Sequence, residues 1–436
     1  MFWGCVVLTV LRLRHYVYTQ DRVDSLPAAR QQPPRAERAA YVLASFTNGR
    51  ELGDGLRLLT SRDGRRWSVL PGEPVLLPLA RTGGRVFRDP SVVWHGGRYH
   101  LVWTSDLCVG QRRKQWKCDR LPPKGRPLPR FGYAHSADLI VWEGIRLVEV
   151  ALEGACSLWA PEIVGLPSAE GGGLMITFSA TLALAGKCSV NFKAHRHGAW
   201  SVRALELDAE GAALSFTPPR RLRVDPGESM IDLAPQLEAR PAQPGRPPHL
   251  LFYKAEANAC AHREWVVGVP PRADLGQCTL VLRQLAAWNA SGPWLVDECA
   301  RGDYFPGNTI SRPCVEGPTP LQLDTGETLI LFDSYRLDCT MLTPPPCEEA
   351  RVGGAAAADV GLRPASSAPR GQCAYVPARK GFGALVSRDL CHWKDISGAV
   401  VTPEAYKHGT ALALRGAARD AACASQASGP LAALCE

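Results

Sequence analysis

A seven-residue pattern recurs three times in this chain and narrows its fold sharply. Ser61-Arg62-Asp63-Gly64-Arg65-Arg66-Trp67, Ser136-Ala137-Asp138-Leu139-Ile140-Val141-Trp142 and Ser387-Arg388-Asp389-Leu390-Cys391-His392-Trp393 share one spacing: Ser, then Asp two residues on, then Trp six residues on. Each copy follows an apolar run, LRLLT, FGYAH or FGALV. Asp-Gly or Asp-Leu makes a turn and Trp opens the returning strand, so each copy reads as a hairpin. A hairpin motif repeated once per four-stranded unit is the signature of a β-propeller. The competing reading is chance recurrence of a common turn, and three identical spacings weigh against it.

The rest of the chain divides accordingly. YVLASF, LRLLTS and RRWSVL supply three strands of a first unit that begins at Tyr41. The second runs from Phe87 to about Trp142, and the third from Trp159 through LMITFSA and SVRALEL. The fourth starts at Met230 and takes in HLLFYK, EWVVGV and TLVLRQL; the fifth runs from Cys314 to Trp393. Near the end, ALAL follows His408-Gly409-Thr410 and supplies the strand that the first unit lacks. Joining both chain ends in one blade closes the ring and removes the open sheet edge. The expected fold class is therefore all-β, a five-bladed β-propeller over residues 41–412. Residues 1–40 are expected to be an apolar segment and a disordered linker, and 413–436 a C-terminal tail. Two loops, 108–130 and 338–380, interrupt the second and fifth blades.

Composition excludes some functions. The net charge of +8 comes mainly from scattered Arg, which reads as a solvated surface and predicts no nucleic-acid groove. No run is long enough for a transmembrane helix, so no membrane partner is expected. The 15 Cys form no CxxC pair and no Cys/His zinc spacing. They gather in loops, as with Cys339, Cys347 and Cys373, or Cys423 and Cys435. That density predicts disulfides and an extracellular or secretory-lumen location. Asn289-Ala290-Ser291 is a glycosylation sequon, a tripeptide that also arises by chance. His195 and His197 resemble a metal pair without a third ligand, which favours a surface loop.

Three carboxylates stand at the mouths of paired apolar runs: Asp89 before Pro90, Asp232 before Leu233-Ala234-Pro235, and Glu316 before Gly317-Pro318. Each opens an inner strand and its partner, so a propeller would bring all three to one axis. Such a trio suits sugar hydrolysis, with one acid, one base and a third group setting the charge around them. Each residue also has a bland reading: a turn for Asp89, a strand-end bond to backbone amides for Asp232, an exposed turn for Glu316.

These residues sit in a set of segments that resembles glycoside hydrolase family 43, five-bladed propellers acting on arabinose- and xylose-containing glycans. The matching segments include Phe46-Thr47-Asn48-Gly49, Arg88-Asp89-Pro90-Ser91, Trp159-Ala160-Pro161-Glu162, Ile231-Asp232, Glu316-Gly317-Pro318, Phe332-Asp333-Ser334-Tyr335-Arg336 and His408-Gly409-Thr410. They follow the family's order from Tyr41 to Thr410. The resemblance implies that Asp89 is the general base, Asp232 the residue that tunes and positions the acid, and Glu316 the general acid. It makes His408 the histidine near the axis, close to a bound cation or water, and Trp159 a wall of the sugar pocket. Asn48 and Arg336 are carried as substrate contacts, Arg336 alternatively pairing with Asp333. For Trp159 and His408 the structural alternatives are a packed core tryptophan and a satisfied core histidine. No cofactor is implied as a requirement and no catalytic metal, only a structural cation near His408. Lys254-Ala255-Glu256 departs from the family's Lys-Asp-Glu segment.

The expected function is an inverting, exo-acting glycosidase of the α-L-arabinofuranosidase or β-xylosidase type, with an oligo- or polysaccharide as partner. Related five-bladed families acting on fructans or agar oligosaccharides stay open. The rivals are a carbohydrate-binding propeller that has lost turnover and a protein-interaction propeller without an axial acidic pocket. The sequence sets no oligomeric state.

Overall fold

The computed structural model describes residues 40–47, 55–72, 74–77, 86–106, 128–183, 197–207, 213–224, 229–240, 245–256, 280–303, 308–312, 315–338, 374–377, 381–424 and 430–435. Ala39–Glu436 forms one compact unit of five sheets, the five blades of a propeller, antiparallel except where Arg301–Gly302 pairs parallel with His392–Asp395 in blade five. From the axis outward, blade two is Arg88–His95, Arg98–Thr104, Arg130–Ser136 and Trp142–Glu149. Blade three starts at Ala155–Gly165, blade four at Met230–Gln236 and blade five at Val315–Gln322. In blade one the innermost strand is Tyr406–Leu414, which pairs antiparallel with Ala40–Thr47. Both ends of the described chain thus share one sheet, the closure that ALAL suggested.

Alternation explains why blades stack into a ring. In Ala40–Thr47, Val42, Ala44 and Phe46 pack into the core shared with blade two. Tyr41 and Leu43 pack into the core shared with blade five. Successive side chains of a strand point to opposite faces, so a strand buried on both faces must be apolar throughout. Five such cores fill the five junctions between neighbouring blades.

The repeated hairpins fold as read. Each joins the third and fourth strands of its blade. The Asp63 carboxylate accepts the backbone N–H groups of Arg65 and Arg66, and Asp138 accepts those of Ile140 and Val141. Asp389 does the same for Cys391 and His392. Trp67 and Trp142 donate Nε1–H to the carbonyls of Gly64 and Leu139, whereas Trp393 reaches Gln284 Oε1 in blade four.

Residues 413–436 are more than a tail. A helix, Gly416–Ala424, places Ala418 and Ala422 in the core between blades one and two, joined there by Leu431 and Leu434. A Cys423–Cys435 disulfide ties this segment together. A second disulfide, Cys299–Cys391, links residues 92 apart, and Cys156 is also disulfide-bonded. Cys339, Cys347 and Cys373 lie outside the described residues. Among the described residues no helix is long and apolar enough to cross a membrane.

Candidate active site

Every innermost strand carries a two-residue bulge near its start. The pairing register breaks between Arg88 and Ser91, Trp159 and Glu162, Ile231 and Ala234, and Glu316 and Thr319. In blade one it breaks opposite Ala44 and Phe46, between Thr410 and Lys407. The bulged pairs are Asp89-Pro90, Ala160-Pro161, Asp232-Leu233, Gly317-Pro318 and His408-Gly409. Four of them open with left-handed backbone: φ is 51° at Asp89, 44° at Ala160, 55° at Asp232 and 63° at Gly317. A bulge re-aims a side chain at the rim of a sheet. All five pairs, Pro90 excepted, line one pocket together with Glu162, with about 260 Å³ of empty space counting its open mouth.

Close packing around the axis explains the two glycines. A Cβ on Gly317 would stand 2.1 Å from Cγ of His408, and one on Gly409 would stand 2.0 Å from the Ala44 carbonyl oxygen. Hydrogen bonds stitch the bulges across blades. Thr104 donates to Asp89 at 2.8 Å and accepts the Ala160 N–H at 2.9 Å. The Gly317 N–H donates to Asp232 at 3.0 Å. Thr319 donates to the Gly409 carbonyl at 2.7 Å, and Thr410 to Glu162 at 3.1 Å.

Charges alternate around the pocket. His408 Nε2 lies 3.1 Å from Asp89 and 3.9 Å from Asp232, and its Nδ1 lies 3.1 Å from Asp333. Lys254 Nζ lies 3.0 Å from Glu316 and 3.6 Å from Asp232. Lys407 Nζ is 3.6 Å from Asp333. Asp89, Asp232 and Glu316 therefore come from blades two, four and five and are interleaved with two cations.

The environments push these groups apart. Burial works against a charged His408, but Asp232, Asp333 and Asp89 outweigh it and raise its pKa well above the ordinary histidine value. His408 is then an imidazolium whose Nδ1 donates to Asp333 and whose Nε2 stands beside Asp89 as an ion pair. Burial also opposes ionisation of Asp89, yet His408, Arg88 and Thr104 prevail and its pKa is lowered. Burial raises that of Asp232, with Lys254 and His408 offsetting part of the effect. Glu162 is pushed up to about 8 by burial, against smaller opposing effects of Ser91, Thr410 and His408. At neutral pH the pocket thus holds an ionised Asp89 and a protonated Glu162.

Asp89, Asp232 and His408 line the pocket, whereas Glu316 is not among its lining residues and pairs with Lys254 beside it. The carboxylates are not in equivalent positions: Gly317, not Glu316, matches Asp89 and Asp232, and Glu316 precedes the bulge. Trp159 is half-buried one residue before the bulge of blade three and belongs to none of the core clusters. Asn48 lies outside the described residues, as do the side chain of Arg336 and nearly all of loops 108–130 and 338–380. Asp333 pairs with His408 and Lys407. Reading by motif left Lys254, Glu162 and Asp333 without roles. Their signal was position: Lys254 faces Ile231 across the bulge, and Asp333 faces Glu316.

Glu316, Asp333 and His408 each offer a ligand atom within 4.8 Å of the others, enough to hold a cation. Such an ion would need Nδ1 of His408 as a lone pair, where the ring now donates to Asp333. The donor set as it stands suits the imidazolium better.

Residues 37–232 match the family model Glyco_hydro_43_rel, described as a probable glycosyl hydrolase domain. No curated protein matches the sequence. Among solved structures, a thermostable family-43 glycoside hydrolase is similar at 11% identity, with 68% of this chain and 80% of that one covered and a TM-score of 0.42. An α-L-arabinofuranosidase from Lactobacillus brevis aligns at 10% identity over 74% of each chain, TM-score 0.38. A Cellvibrio cellulosa α-L-arabinanase complexed with arabinohexaose aligns at 13% over 68% of this chain and 84% of that one, TM-score 0.39. Likeness this distant fixes no substrate. The matched stretch takes in the bulged pairs Asp89-Pro90 and Ala160-Pro161 and ends on Asp232 of the next, and over those residues the chain is similar to that glycosyl hydrolase domain.

Proposed function

We propose that the protein is an inverting glycosidase that removes single terminal pentoses from arabinose- or xylose-containing glycans. The observation that carries this reading is that Asp89 and Asp232 line one small pocket on either side of His408, with Glu316 of a third blade joined to Asp232 through Lys254. Inversion needs a carboxylate to deprotonate water and an acid to protonate the leaving oxygen, roughly 6.5–9.5 Å apart so that water fits between. Asp89, ionised and fixed by His408 and Thr104, suits the base. Glu316 is the acid, and Asp232 spans the two through His408 and Lys254. Carboxylates around the axis also favour the positive charge that develops on the sugar ring. This chemistry calls for no cofactor; a cation near His408 would be structural.

Lys254 at 3.0 Å favours the charged form of Glu316, so the acid role requires this pair to open as the leaving group enters. Glu162, which keeps its proton to about pH 8, is the second candidate for the acid. A screen on nitrophenyl glycosides of arabinofuranose, xylose and galactose tests the activity, and proton NMR of the first-formed anomer tests inversion. A retained anomer would overturn the roles of Asp89 and Glu316. A pocket that binds sugar without turnover on any substrate would make the protein a lectin-like propeller. The disulfides Cys299–Cys391 and Cys423–Cys435 support the reading that the protein works in an oxidising compartment, to be checked by its fractionation with secreted proteins.

A further inference from the structure

Blade four makes its outer turn differently from the others, and the difference points to a modification. Its third strand, Leu280–Ala287, is followed by Trp288-Asn289-Ala290-Ser291-Gly292-Pro293-Trp294. Asn289 Oδ1 accepts the N–H of Ser291, two residues on, at 3.1 Å. Asp63, Asp138 and Asp389 accept the same i+2 N–H in blades one, two and five. Asn289 is thus the blade-four counterpart of those aspartates, with the following Trp displaced by one residue. The position two residues on is Arg65, Ile140 or Cys391 elsewhere, and a hydroxyl residue, Ser291, only here. An aspartate would do the structural work equally well, and asparagine adds a carboxamide nitrogen.

That nitrogen is presented outward. Asn289 and Ser291 are exposed, while Ala290 between them is fully buried and donates its N–H to Glu170 at 2.8 Å. Nδ2 of Asn289 makes no hydrogen bond among the described residues. The Ser291 hydroxyl is held by Arg203 at 3.0 Å. Beside them the indole of Trp288 is 59% exposed, a flat apolar face with nothing to cover it among the described residues. Asn289 also heads the only Asn-Xaa-Ser/Thr tripeptide in the sequence.

Strand register places this turn away from the pocket. Ile231, at the bulge, faces Lys254, and Ala255 beside it faces Val281. The third strand therefore starts at the pocket end, and its last residue, Ala287, faces His249 at the other end. A substituent on Asn289 would leave the pocket mouth open.

We propose that Asn289 is an N-glycosylation site whose first sugar lies against Trp288. The donor is a lipid-linked pyrophosphoryl oligosaccharide. A bond forms between Nδ2 and C1 of the first sugar, the C1–O bond to pyrophosphate breaks, the lipid pyrophosphate leaves, and Nδ2 gives up one proton. An N-acetylated hexose has an apolar ring face that suits an exposed indole.

The test uses the full chain behind a cleavable secretory leader in insect cells. Peptide N-glycosidase digestion with intact-mass measurement should show loss of one glycan. Peptide mapping should show Asn289 converted to aspartate. Asn289→Asp keeps the turn that three other blades make with Asp, so it should fold and be secreted, without the glycan. Ser291→Ala should lose the glycan while retaining Asn289. Both should keep the wild-type rate on sugar substrates, whatever those prove to be. A secreted wild-type chain with unmodified Asn289 overturns the proposal. So does a glycan that survives in Asn289→Asp, or a purified chain with Cys299 and Cys391 as free thiols.

Discussion

The two ends of the blades use the same backbone device for opposite purposes. At the pocket end, Asp89, Ala160, Asp232 and Gly317 adopt left-handed backbone at the bulges of the innermost strands. At the far end, Gly64, Leu139 and Leu390 do so in the outer hairpins. The far turns satisfy themselves locally: one Ser and one Asp supply nearly all their hydrogen bonds within three residues. The bulges are held by other blades, through Thr104, Asp232, Thr319 and Thr410. Left-handed non-glycine residues cost roughly 1–3 kcal/mol each and persist where their surroundings over-determine them. Strain at the pocket therefore depends on the whole ring being closed, while strain at the far turns does not.

The largest expected effect lies at the pocket. Asp89→Asn and Glu316→Gln should each lower kcat by about 10²–10⁴-fold with the fold intact by circular dichroism. The Glu316 variant should lose least on substrates with good leaving groups. If Glu162→Gln shows that leaving-group dependence and Glu316→Gln does not, the acid is Glu162. If neither Asp89→Asn nor Glu316→Gln loses rate, the pocket assignment fails.

Next comes the strain itself. Gly317→Ala forces a Cβ into His408 at a positive φ and should destabilise the protein by roughly 3 kcal/mol or more. Gly64 also has positive φ, but a Cβ there meets the flexible end of Leu323 at 2.5 Å. Gly64→Ala should therefore cost less, about 1–2 kcal/mol. Denaturant unfolding of the pair checks the contrast, and equal losses would mean that the ring does not hold the bulges.

This contrast also explains how much the sequence revealed. The hairpins were legible because a local motif makes a local turn, and repetition gave the propeller and its five blades. Asp89, Asp232 and His408 were legible because bulge dipeptides rich in Pro and Gly mark inner-strand starts. What escaped was set between blades. Lys254 pairs with carboxylates from blades four and five, and no local spacing announces that. Glu162 owes its proton to burial by neighbours distant in sequence. The one-residue offset of Glu316 from Asp89 and Asp232 is a register fact, visible only once the strands are paired.

A smaller effect follows from proton linkage at the pocket. The pKa of Glu162 is raised from 4.5 to about 8, so the folded state binds more protons than the unfolded chain between those values. Stability carried by the neutral carboxyl is fully present below about pH 4.5 and is lost as pH rises through about 8. Raised His408 acts in the same direction, present below its unfolded value near 6.5 and lost as pH rises through its folded value. Glu162→Gln cannot ionise. Its melting temperature relative to wild type should rise from pH 5 to pH 9, by a few degrees. A constant difference across that range would show that Glu162 titrates normally.

The smallest effect is expected at the far end, with the opposite sign. Burial alone would raise the pKa of Asp63, but the N–H groups of Arg66 and Arg65 and the Ser61 hydroxyl outweigh it and lower the value below 3.8. The stability tied to its charge is present above the unfolded value and is lost as pH falls through the folded value. Asp63→Asn removes this acid-side loss and retains an acceptor oxygen for the turn, as Asn289 does in blade four. At pH 7 the substitution should cost only roughly a few tenths of a kcal/mol, against about 1 kcal/mol for Asp63→Ala, because Asp and Asn cap backbone N–H groups almost equally well. Between pH 5 and pH 3 the gap between Asp63→Asn and wild type should close. Urea unfolding at pH 7, 5 and 3 measures it. A loss at pH 7 as large as that of Asp63→Ala would mean that the turn needs the charge, and that the far turns are no more self-sufficient than the bulges.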